Sequence, residues 1–87
     1  MFKSTPSDRS TIYDAINQER DYQSNIWEEE PHSLTEFLVF INDYTSEALH
    51  AMSREPNNMC SVKALDSLRK IAALSVAAQE QHGVRFR

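Results

Sequence analysis

The 87 residues suffice for one domain, of which 25% are charged, with a formal net charge of −4. A chain this short buries only about 60% of its unfolded surface, so it is marginal without a staple or a partner. One cysteine excludes an intrachain disulfide and fits a reducing compartment, no Cys/His spacing suits structural zinc, and the acidic balance disfavours a broad duplex-binding face.

The N-terminal MFKSTPSDRS has no apolar h-region, so no signal peptide is expected. No apolar run approaches the ~20 residues that span a bilayer. A soluble, cytoplasmic protein is expected, with one domain over 1–87 and frayed ends at 1–10 and 84–87. Residues 1–55 carry 11 acidic and 4 basic side chains, and residues 56–87 carry 2 and 5. The basic third suits a small anionic ligand or an acidic helix of a neighbouring copy; two solvated faces of opposite sign account for it equally well.

A single glycine and three prolines are too few turn residues for a β-rich fold. The pattern predicts an all-α, three-helix protomer with helices at 11–27, 34–53 and 61–82. The first starts at Thr11 as cap, with Asp14 in its first turn. Ile12, Ile16, Gln23 and Ile26 share one side, flanked by Ala15, Tyr22 and Trp27. The run Glu28-Glu29-Glu30-Pro31 ends it.

Ser33-Leu34-Thr35-Glu36 is a capping box and predicts the start of the second helix. From Phe37 to Ile41 that helix is apolar nearly all round, which predicts burial on more than one side. Residues 54–58 read as a turn, with Cys60 in the polar stretch that follows. The third helix ends at Gly83, where left-handed geometry suits glycine. Its Ala-rich stretch 71–78 predicts a central helix, with Ala72, Ala73, Ser75 and Val76 at helix contacts. Three helices from one chain hardly surround it, so a homo-oligomeric bundle is expected.

Chemistry concentrates in two places. Arg20 can fork onto a phosphate, Tyr22 and Trp27 can stack on a base, and Gln23 can read a base edge; His32 lies beyond them, and Arg69 and Lys70 on the third helix add phosphate contacts. The alternative is that Tyr22 and Trp27 are core aromatics and Arg20 pairs with an acid. Asp43 and Glu47, four residues apart, share a helix face. Glu36 lies two turns before Asp43 on a similar face, the third helix adds Asp66 and the first adds Glu19, so facing helices could gather oxygen ligands for Mg²⁺; a solvated acidic face is the alternative. No glycine-flanked serine or glycine-rich phosphate loop is present.

The order Glu19-Arg20-Asp21-Tyr22-Gln23, Trp27, His32, an apolar helix, and Leu68-Arg69-Lys70-Ile71-Ala72-Ala73-Leu74 ending in Glu80-Gln81-His82-Gly83 resembles small phage-encoded proteins of the MazG-like, all-α nucleotide pyrophosphohydrolase group. The likeness runs over 12–83. It implies a helical bundle of two or more chains that binds nucleoside phosphates between helices, and an Mg²⁺-dependent split of a nucleoside triphosphate in the group's enzymes. By position, two helix-2 metal glutamates fall on Tyr44 and Glu47, and an acidic helix-3 pair on Asp66 and Arg69. Only Glu47 and Asp66 match, with Asp43 a substitute one turn away.

The depleted set implies binding without turnover. The expected function is sequestration, in the host cytoplasm, of a nucleotide-derived immune signal such as a cyclic nucleotide or ADP-ribose derivative, with no cofactor. An Mg²⁺-dependent pyrophosphohydrolase and a helical adaptor for a host protein are the alternatives.

Overall fold

The computed structural model describes residues 6–26, 30–54 and 58–87. They form three helices and no strand: α1 (Arg9–Ile26), α2 (Leu34–Arg54) and α3 (Asn58–His82). No helix among them is long and apolar enough to cross a membrane. Trp27, Glu28, Glu29 and the turn around Pro56 lie outside the described residues.

The expected start of α1 is corrected. The helix begins at Arg9, and its cap is Asp8 rather than Thr11: Asp8 Oδ1 accepts the Thr11 N–H at 2.8 Å, and the Asp8 carbonyl accepts the Ile12 N–H at 3.1 Å. The Thr11 N–H holds the Asp8 carboxyl below its ordinary range. Residues 8–10 are therefore the cap and first turn of α1.

At α2 both halves of the capping box form. The Glu36 N–H donates to Ser33 Oγ at 3.1 Å, and the Ser33 N–H donates to Glu36 Oε1 at 3.0 Å. The Ser33 N–H, with the His32 side chain next, holds the Glu36 carboxyl below its usual range. Ser33→Ala should cost about 1 kcal/mol in urea denaturation. A carboxyl with a lowered folded-state value stabilises above the ordinary carboxylate range and loses that contribution as pH falls through the lowered value. The deficit of Glu36→Gln should therefore shrink on going from neutral pH to about pH 3, whereas Ser33→Ala keeps the main-chain N–H that lowers the Glu36 carboxyl and should show the smaller pH dependence.

Helix α3 begins at Asn58, three residues before the expected start, and this corrects the placement of Cys60. Cys60 lies in the first turn of α3 and is buried. The other end is as expected. Gly83 has a φ of +102°, and its N–H donates to the Gln79 carbonyl at 2.8 Å. A side chain there would meet no neighbour, so the backbone angle is what favours glycine. Val84 is exposed and does not fold back onto the cap.

α1 and α2 both pack on α3 and do not touch one another. The Cα radius of gyration, 14.2 Å, exceeds the about 12 Å of a closed domain this long. The core is small. Phe37 from α2 meets Leu74 and Ala77 of α3, with Phe40, Ile41, Tyr44 and Ala78 packed around them. Ala73 is fully buried, whereas Ala72, Ser75 and Val76 are half-buried, so α3 is enclosed on two sides and open on a third. α2 is likewise buried along one side within the protomer: Leu38, Val39 and Leu49 are exposed.

Candidate functional site

Because α1 and α2 splay apart, a cleft of about 700 Å³ lies between them over α3. Its α1 wall carries Arg20, Gln23 and Ser24, and its α2 wall carries Phe37, Phe40, Asp43, Tyr44 and Glu47. Leu74, Ala77, Glu80 and Gln81 of α3 form the floor, and residues 30–32 close one end.

That end is tied down by the last turn of α3. The Gln81 amide spans the connector, Oε1 accepting the His32 N–H at 2.9 Å and Nε2 donating to the Glu30 carbonyl at 3.2 Å. His82 Nε2 donates to the His32 carbonyl at 2.7 Å. The His32 ring is thereby set edge-on to Phe37 and Phe40, with centroids 5.7 and 5.3 Å apart, and its Nδ1 donates to Glu36 Oε2 at 3.2 Å. Such edge-to-face clusters are favourable and rigid. The aromatic end of the cleft is therefore pre-organised by backbone hydrogen bonds.

The polar side of the cleft is mostly acceptor. Glu30, Asp43, Glu47 and Glu80 line it against one guanidinium, that of Arg20. Arg20 Nε donates to Glu80 Oε1; the Arg20 side chain is 17% exposed and that of Glu80 53%. Asp43 and Glu47 occupy successive turns of α2. Among the described residues no group of three or more His, Cys, Asp or Glu is arranged to hold a metal ion.

The residues singled out in the sequence separate into two sets. Arg20, Gln23, His32, Asp43 and Glu47 come together on the cleft. Arg69, Lys70, Tyr22 and Asp66 are not on its lining. Tyr22 is 59% exposed. Arg69 bridges α3 to α1, donating to Glu19 Oε1 at 2.8 Å and to Asp66 Oδ1 at 2.6 Å. The Glu19 side chain is 10% exposed. The Glu19 hydrogen bond first, and the Asp66 one second, raise the Arg69 guanidinium above its ordinary value. This is an ion pair that holds α1 on α3. The Lys70 ammonium sits 5.6 Å from the centre of the Tyr44 ring, over a cleft-lining aromatic. Trp27 lies outside the described residues.

Among the cleft members that were not site candidates in the sequence are Phe40, Tyr44, Glu80 and Gln81. A polar run closing an Ala-rich helix, Gln79 to His82, was the one visible signal for the last two.

No family model, curated protein or solved structure matches the chain. Fold and site define the class on their own terms: an all-α, three-helix protein with an open, aromatic-ended cleft rimmed by carboxylates and one arginine.

Proposed function

We propose that this chain is a phage-type binding protein that sequesters a nucleotide-derived small molecule without hydrolysing it. The carrying observation is the cleft, where four rings (His32, Phe37, Phe40, Tyr44) and one guanidinium, that of Arg20, share a volume of about 700 Å³. Flat rings suit a base, and a guanidinium fork suits a phosphate. Carboxylates such as Asp43 and Glu47 suit ribose hydroxyls and amino groups, which are donors. Four carboxylates against one arginine disfavour a naked triphosphate on Coulombic grounds. A cyclic nucleotide or ADP-ribose derivative, with less charge and more hydroxyls, fits this balance better. The resemblance to the small MazG-like phage proteins points to the same ligand class, and host cytoplasm is the location it suggests.

The same proposal includes a homo-oligomer. Leu34, Leu38, Leu49 and Met52 are exposed and spaced by whole turns on the side of α2 away from Asp43 and Glu47. Leu65 and Leu68 are exposed on the side of α3 away from Leu74 and Ala77. Only six apolar residues are buried among those described. A second copy covering this side would add the burial that so small a domain lacks.

One observation favours a second reading. Asp43 and Glu47, one turn apart on the cleft wall, would hold Mg²⁺ against a polyphosphate in a working pyrophosphohydrolase. A thermal-shift panel of cyclic AMP, ADP-ribose and ATP, each in EDTA and in Mg²⁺, separates the readings. Ligand at about 100 times its Kd stabilises the native state by about 2.7 kcal/mol. The sequestration reading predicts that cyclic AMP or ADP-ribose raises Tm in EDTA. A shift confined to ATP with Mg²⁺ would favour the enzyme, and no shift with any member would favour an adaptor that binds protein.

A further inference from the structure

Beyond Gly83 the chain carries a basic, aromatic segment that the protomer leaves in water. Val84, Arg85, Phe86 and Arg87 are all exposed, Phe86 by 89%. The cleft has the opposite character. Four carboxylates line it against Arg20, which Glu80 already engages. Asp43 and Glu47 are exposed on its α2 wall beside the half-buried rings of Phe40 and Tyr44. No ion pair among the described residues uses Asp43, Glu47, Arg85 or Arg87.

The two features match in spacing as well as in charge. In an extended segment Arg85 and Arg87 project from one side about 6.6 Å apart, with Phe86 on the other. Asp43 and Glu47, one turn apart, are separated by about 6 Å along α2. Two guanidiniums can therefore meet two carboxylates in register, while Phe86 turns toward the apolar floor of Leu74 and Ala77. The chain's own segment is badly placed for this. It leaves α3 beyond the closed end of the cleft, where Gln81 and His82 hold residues 30–32 across its path, and four residues reach about 14 Å at most.

We propose that residues 84–87 of a second copy dock in the cleft, Arg85 and Arg87 on Asp43 and Glu47, so that each cleft is completed by a neighbour. The inference rests on the homo-oligomer of the reading above and adds which segment joins the copies, and where. It needs no nucleotide; a nucleotide would compete with the segment for the same volume.

Sedimentation velocity over a range of concentrations tests it on full-length chains. The parent should self-associate. Arg85→Glu/Arg87→Glu reverses the segment, and Asp43→Lys/Glu47→Lys reverses the wall. Each should weaken self-association about tenfold or more, since two attractive pairs become repulsive. All four residues are exposed, so circular dichroism should show the parent's helices in both variants. An equimolar mixture of the two variants pairs opposite charges again and should associate as the parent does, a recovery that misfolded protein cannot give. A monomeric parent removes the oligomer and the inference together. An unchanged association constant in either variant, or a mixture no stronger than its components, overturns the inference and leaves the oligomer standing. None of these outcomes touches nucleotide binding, which the thermal-shift panel reads separately.

Discussion

Ala73→Arg should abolish cooperative folding of the protomer. Ala73 is 0% exposed. A guanidinium at that point in α3 has neither room nor water. Burying an unpaired charge, or breaking the packing to release it, costs several kcal/mol. Small domains have about 5–15 kcal/mol in total, and this one has a core of few residues. Far-UV circular dichroism with urea should therefore show lost helicity or no sigmoidal transition. A variant with the parent's transition would contradict the placement of Ala73. Its burial lies within one chain, so the variant reports on the protomer's packing. Leu68→Glu, at a residue 56% exposed, reports on contacts between copies. It should leave the helices intact and lower the mass seen in sedimentation, if the exposed side is covered by a second copy.

Phe37→Ala should lower stability by about 3–5 kcal/mol, the range for removing a buried aromatic. Phe37 is 3% exposed and is the α2 member of the core. It also meets His32, Phe40 and His82 edge-on, at 5.7, 6.4 and 6.2 Å between centroids. Its removal opens a void at the core and withdraws the ring that His32 and His82 both rest against. Denaturant midpoints should fall, and ligand binding should fall with them. Phe40→Leu separates the two effects. Phe40 is half-buried, so leucine should cost less than about 1.5 kcal/mol. It removes a flat face from the cleft, and binding of a base should weaken while the fold stays.

What was legible in the sequence was local. The capping box of α2 and the glycine stop of α3 are set by residues within one turn of each other, and both appear at the expected positions. The α1 cap was misassigned because Asp8, Ser10 and Thr11 are all short polar residues able to cap. Asp8 Oδ1 reaches the Thr11 N–H, which makes Thr11 the residue that is capped. Helix α3 starts earlier than the local pattern indicates: it begins at Asn58 and takes in Cys60, whose burial has no mark in the neighbouring sequence.

The cleft divides the same way. That Arg20 and Gln23 share a helix side with one another is a matter of spacing. That they face Phe40, Tyr44 and Glu80 depends on how α1 and α2 splay about α3, and the contacts that set it join residues far apart in sequence. Arg69 is instructive. Its bond to Asp66, three residues back, was readable from spacing, whereas its tie to Glu19 comes from the packing of α1 on α3.

The central claim is binding without turnover, and one comparison tests it most directly. Arg20→Ala and Glu47→Gln are assayed beside the parent for cyclic AMP and ADP-ribose binding in EDTA, and for pyrophosphate release from nucleoside triphosphates in Mg²⁺. Both side chains line the cleft. Loss of Arg20 leaves a half-exposed Glu80 behind, so the fold should survive. A charge-assisted contact of about 1.5–3 kcal/mol makes the expected loss of affinity roughly tenfold to a hundredfold. Glu47→Gln keeps a carbonyl acceptor for a ligand donor and should lose less affinity than Arg20→Ala, and neither the parent nor this variant should release pyrophosphate. Pyrophosphate released by the parent and lost in Glu47→Gln would contradict sequestration and establish an enzyme in its place.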